Sequence, residues 1–112
     1  MAWFKLDDHF GNHPKVNKAG NAATGLWVRC ATYSAQYLTD GHIPVEVARL
    51  YGTRNEIKAL LDVGLWEMNG DGGYVMPDYL DFNPSRQQVE TEREQARQRM
   101  DRRRRGTNGE FE

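Results

Sequence analysis

Thr53, Arg54, Asn55 and Lys58, in the stretch "TRNEIKALLDVG", bring a hydroxyl, a guanidinium, an amide and an ammonium together within a few positions. Side chains of these types at the start of a helix hydrogen-bond to base edges and phosphate oxygens when that helix enters the major groove of DNA. Glu56 and Asp62 oppose them in charge, so the same set also reads as a solvated helix face. A second set lies in "REQARQRMDRRRRG", where Arg93, Arg97, Arg99, Arg102, Arg103, Arg104 and Arg105 are set against Glu94 and Asp101. Each phosphate neutralised by a cation releases condensed counterions. If about five of these arginines engage, affinity falls by orders of magnitude across ordinary salt changes. The plainer reading is a solubilising helix end, with cations favoured by the helix dipole and acids paired as Glu90–Arg93 and Glu94–Arg97. Those pairs leave most of the 102–105 run unmatched, which favours attraction to nucleic acid but carries no sequence specificity.

Catalytic and metal chemistry find weaker support. His9 and His13 are four apart, but "FGN" and Pro14 argue against a shared helix face, and no cysteine pair or acidic cluster completes a ligand set. Asp7, Asp8, Asp78 and Asp81 read as turn and capping acids. "GDGG" at 70–73 lacks the following helix and Gly-Lys-Ser/Thr of a phosphate loop. Ser85 has no adjacent base and is already suited to capping a helix. Cys30 is the single cysteine, so no intramolecular disulfide forms, and on a helix face it acts as a small apolar filler. The expectation is no enzyme, no cofactor and no metal.

The elements that position the two charged sets follow from patterning. Met1 to Pro84 carries seven Lys/Arg against ten Asp/Glu, a net of −3, while Ser85 to Glu112 carries eight against six, a net of +2. Every aromatic residue except Phe111 precedes Ser85. A core domain over 1–84, a charged arginine-rich helical arm over 85–105 and a disordered tail over 106–112 are therefore expected. "MAWFKLDD" lacks the basic start and apolar run of a signal peptide, and no run reaches the length of a membrane span. These features predict a cytoplasmic protein with no membrane partner.

Within the domain, "AWFKLD" alternates as a short strand with Trp3 or Phe4 inward. "PKVNKA" reads as a short helix with Pro14 at its first position and Gly20 just past its end. A central helix runs from about Ala22 to Leu38, capped by Asn21, with Leu26, Cys30, Ser34 and Leu38 in one row. "TDGHIP" breaks it, and "PVEVARLY" begins a two-turn helix with Val47, Leu50 and Tyr51 inward. Thr53 and Glu56 form a capping box for the next helix, whose buried stripe is Ile57, Leu60 and Leu61. "LWEMN", "GDGG" and "YVMP" then form a hairpin. Ser85 and Gln88 cap a last helix that begins at Arg86 and frays near Arg102. The fold class is mainly α with a small β-wing: a winged helix-turn-helix followed by a long charged C-terminal helix or arm. The wing tip carries Asp71 and no cation, which is poor for gripping phosphate.

The segments "AWFKLDDHFGNHPKV", "GNAATGLWVRCATYSAQYLTDGHIP", "ARLYG" and "LLDVGLWEMNGDGGYVMPDYLDFNPSR" resemble the amino-terminal winged-helix domain of phage replisome organisers. They are similar to the DnaD-like modules of replication initiation proteins of actinobacterial phages and prophages. The resemblance covers Trp3 to Arg86, and "LTDGHIP" and "GLW…GGY…DYLDFNPS" are its most specific parts. It implies a DNA-associated role in replication or regulation, often with self-association. Family members commonly add a carboxy-terminal domain that contacts DNA or loads a helicase, and no such domain follows Arg86 here. The expected partners are double-stranded DNA, a second copy of the chain in a homodimer, and a replication or host protein. A different class of reading makes the chain a protein-interaction module with incidental DNA binding.

Overall fold

The structure, a computed structural model, describes the backbone of residues 3–110 and the side chains of residues 3–81 and 83–104. It is mostly helical with a small three-stranded antiparallel sheet. After a 3-10 turn at Phe10–Asn12 come α1 (Pro14–Ala19), α2 (Asn21–Tyr37), β1 (His42–Ile43), α3 (Val45–Tyr51) and α4 (Arg54–Val63). The hairpin β2 (Glu67–Met68) and β3 (Tyr74–Val75) follows, then α5 (Tyr79–Phe82) and α6 (Arg86–Glu110).

α2 is the centre of the fold. Ala23, Leu26, Cys30, Ala31, Ser34 and Ala35 are buried along it, the rows that the 3.6-residue period predicts. α1, α3 and α4 pack around it, and Ile57 and Leu60 of α4 meet Ala48, Trp66, Met76 and Tyr79 in one core cluster. Small residues on α2 let its neighbours approach closely. A Cβ on Gly52, at the end of α3, would lie 2.5 Å from a methyl carbon of Leu26. α4 is closed at both ends as its sequence requires. Thr53 and Glu56 form the reciprocal capping box, and Gly64 ends the helix with φ 82°, a left-handed value that glycine adopts without steric cost.

The sheet order is β1-β3-β2, with Ile43 opposite Tyr74 and Met68 opposite Tyr74 across the two pairings. β1 is thus a third strand laid on the hairpin, which ties the corner after α2 to the ribbon after α4. Gly73 permits the approach: a Cβ there would lie 2.7 Å from the Ile43 carbonyl oxygen. Of the glycines in the tip, Gly72 alone has positive φ, 92°. Trp66 is 1% exposed and stacks on Tyr74 with ring centroids 5.2 Å apart. Its indole N–H has no hydrogen-bond partner among the described residues.

The corner between α2 and β1 is built from left-handed residues. Leu38, Asp40 and Gly41 have φ of 56°, 55° and 86°, costly for the two non-glycines. Buried Ser34 offsets this by accepting the Gly41 N–H at 2.7 Å and lying 2.8 Å from the Thr39 hydroxyl. The corner also receives the arm, because the Asp40 carboxylate accepts the Arg86 N–H at 2.6 Å.

Several expectations are corrected. Residues 3–6 form no strand. Asn83, 6% exposed, uses its side-chain amide as a substitute strand edge, accepting the Lys5 N–H at 2.8 Å and donating to the Lys5 carbonyl at 3.4 Å. Phe4 does turn inward, stacked on Tyr79, while Trp3 is exposed. Asn21 is the first residue of α2 rather than its cap, which is Gly20. On α3 Val47 and Tyr51 pack partly buried against the core as expected and Ala48 is fully buried, but Leu50 points outward, 74% exposed. α5 is an extra turn of helix between hairpin and arm. Glu90 pairs with Arg86 and not Arg93. α6 is one helix through Glu110, with Arg102, where fraying is expected, inside it. Residues 111 and 112 lie outside the described residues.

Candidate nucleic-acid interface

The α3–α4 corner turns on Gly52 and Thr53 and presents the start of α4 to solvent. Arg54, Asn55 and Lys58 are all exposed there. Burial of Ile57 and Leu60 fixes the helix rotation, so these three residues take the opposite side. Thr53 is committed to the cap: its hydroxyl accepts the Glu56 N–H at 3.3 Å, and its own N–H donates to the Glu56 carboxylate at 3.1 Å. Its backbone geometry, more than its hydroxyl, therefore serves the site. Lys58 lies 3.7 Å from Asp62, both well exposed, and such a pair yields readily to a competing anion. Arg54 and Lys58 are matched by Glu56 and Asp62, which leaves the face neutral.

The neighbouring hairpin adds no cation. Glu67 and Asp71 are exposed, and the Asp71 carboxylate accepts the Gly73 N–H at 3.0 Å, which makes it a turn-forming acid. Asp7 serves similarly, accepting the His9 N–H at 2.7 Å, and the His13 ring accepts the Lys15 N–H at 3.1 Å to cap α1. His9 and His13 thus sit on different local structures. Asp7, Asp8 and His9 are close enough to hold an ion, but all three are exposed and the acids and His9 are engaged with one another. A cleft of about 250 Å³ beside them is lined by Phe4, Phe10, Trp27 and Tyr79 on its apolar side and by Asp7, His9, His13 and Lys15 on its polar side.

The second cationic set is on α6. A helix of this length spans about 37 Å, and every described side chain from Glu90 to Arg104 is exposed. Helical spacing puts Arg93, Arg97 and Arg104 on one side and Arg99, Arg102 and Arg103 on the other, so the charge surrounds the rod. Arg97 pairs with Glu94 and Arg86 with Glu90, which concentrates the acids on the half nearest the domain. The Arg105 side chain lies outside the described residues. The Ser85–Gln88 cap forms as expected, with Gln88 accepting the Ser85 N–H at 2.8 Å and donating its own N–H to the Ser85 hydroxyl at 3.2 Å.

The structure gathers Thr53, Arg54, Asn55 and Lys58 on one helix start and sets the arm arginines on a separate rod. It also brings together aromatic and cationic groups on α2 and α3. Arg29 sits 4.3 Å from the centroid of the Tyr51 ring, and Tyr33 and Tyr37 are 4.8 Å apart. The i,i+4 spacing of Arg29, Tyr33 and Tyr37 was the available signal. Compared with models of protein families, with curated proteins and with solved structures, the chain matches none.

Proposed function

We propose that this is a DNA-binding winged helix-turn-helix protein of phage type, acting in replication initiation or transcriptional control. The reading is carried by one observation: a capped helix start bears exposed Arg54, Asn55 and Lys58 beside a hairpin whose inner strand is braced by β1. Third strand, helix pair and ribbon in that order are the parts a winged helix needs, and polar residues at the start of its second helix suit base edges. The arm supplies what the neutral α4 face lacks, a phosphate-seeking charge that raises affinity without selecting sequence. The resemblance of residues 3–86 to the replisome organiser domain supports replication or regulation as the setting, in a bacterial cytoplasm.

A second reading, docking of a replication or host protein with DNA binding incidental, is favoured by the acidic hairpin and by the balanced charge of α4. Gel-shift titration against duplex DNA at two salt concentrations separates them. In the first reading Arg54→Ala weakens a preferred duplex by about tenfold or more, as expected for a base-edge contact, and joint Arg102, Arg103 and Arg104→Gln weakens all duplexes alike and flattens the salt dependence. Duplex binding indifferent to every one of these changes sinks it.

A further inference from the structure

We infer that the outer face of α2 and α3 is a stacking platform for single-stranded nucleic acid, made by Arg29, Tyr33, Tyr37 and Tyr51. It is separate from the start of α4 and does not depend on the duplex reading above. Arg29, Tyr33 and Tyr37 form one i,i+4 row along about 12 Å of α2, a length that accommodates about three nucleotides at ~3.4 Å each. Tyr33 and Tyr51 are partly buried against the core, which fixes their rings, while Tyr37 is 57% exposed. Two rings lie 4.8 Å apart, and a guanidinium sits over the third at 4.3 Å. Rings and guanidinium planes held from behind by a core and open in front are what unpaired bases stack on.

Charge points to the same occupant. Arg29 is the one charged residue in the 17 residues of α2, and it forms no ion pair among the described residues. α3 adds Arg49 and Glu46, leaving these two helices net positive in a domain whose sum is −3. An arginine seated on a tyrosine, with no acid to satisfy it, is free to meet a phosphate while its neighbours meet bases. An apolar protein partner would instead want aliphatic neighbours around Tyr37. The exposed side chains of this row and the adjoining one, from Val28 onward, are Val28, Arg29, Thr32, Gln36 and Tyr37, three of them polar or charged.

The test is fluorescence anisotropy of a labelled oligothymidylate and of a duplex, with the full chain, at low salt and at salt high enough to screen the arm. At high salt Tyr37→Ala and Arg29→Gln each weaken oligothymidylate binding by about tenfold, whereas Tyr37→Phe, which keeps the stacking ring, retains it. Wild-type failure to bind oligothymidylate at high salt overturns the inference, as does equal binding by Tyr37→Ala and wild type. Loss of duplex recognition with tyrosine-dependent single-strand binding intact would count against the α4 reading alone.

Discussion

The domain and the arm obey different physics within one chain. In the domain, position is decided by burial and by bonds between residues distant in sequence, such as Asn83 holding Lys5 across 78 positions. In α6 the Arg86–Glu90 and Glu94–Arg97 pairs are local, while the Asp40 carboxylate on the Arg86 amide ties the helix to the domain. A globule of this length has a radius of gyration of about 13 Å, yet this chain measures 18.8 Å with a longest extent of 66 Å. The difference is the rod. The domain holds its side chains in fixed places, and the rod carries eight of the chain's fifteen Lys and Arg residues.

The largest test of that division is stability. Trp66→Ala is expected to cost about 3–5 kcal/mol in urea unfolding, whereas Met100→Ala on the rod changes it by less than about 0.5 kcal/mol. Comparable losses would mean that the arm folds against the domain. Hydrogen exchange sharpens the same contrast. Amides of α2 such as those of Cys30 and Ala31 should open only with global unfolding, and those beyond Arg102 should exchange almost as free chain, since Gly106, Asn108 and Gly109 are poor helix residues.

A smaller effect compares the two capping boxes. Thr53→Ala is expected to cost about 1 kcal/mol in global stability, and Ser85→Ala should lie within about 0.5 kcal/mol of wild type, because the rod can fray without opening the core. Smallest near neutral pH is the cysteine. Burial pushes the Cys30 thiol up to about 12 against an opposing pull from Arg29, so a thiol reagent should not react with it until the protein unfolds. The folded state holds this proton after the unfolded chain has released its own. Stability is therefore constant below about pH 9 and declines as pH rises from 9 toward 12. Burial raises Tyr79 in the same direction, with the Ser34 hydrogen bond opposing it. Stability that climbs through this alkaline window would contradict the buried placement of both groups.

Much of this was legible in residue order because the signals are local. Pro14 and Gly20 bracket α1, Thr53 with Glu56 starts α4, and Ser85 with Gln88 starts α6; each depends on atoms within four residues of one another. The exposure of Arg54, Asn55 and Lys58 follows from the spacing of Ile57 and Leu60. What escaped was set by partners far along the chain. Periodicity cannot tell whether Ala48 or Leu50 faces α2, because the answer lies in how closely Gly52 approaches Leu26. Alternation in "AWFKLD" resembles a strand, but no neighbour offers an edge other than the amide of Asn83. Helical spacing alone does not tell whether the tyrosine row on α2 is core, and the observed exposure of Tyr37 separates it.

The left-handed Asp40 acts as a pivot under a long lever. Its carboxylate grips the first amide of α6, and Arg104 lies about 27 Å further along that helix, so a tilt of about 10° at the grip sweeps that arginine through about 5 Å. Small repacking at the Ser34 corner is thereby magnified into a large displacement of the arm's charge.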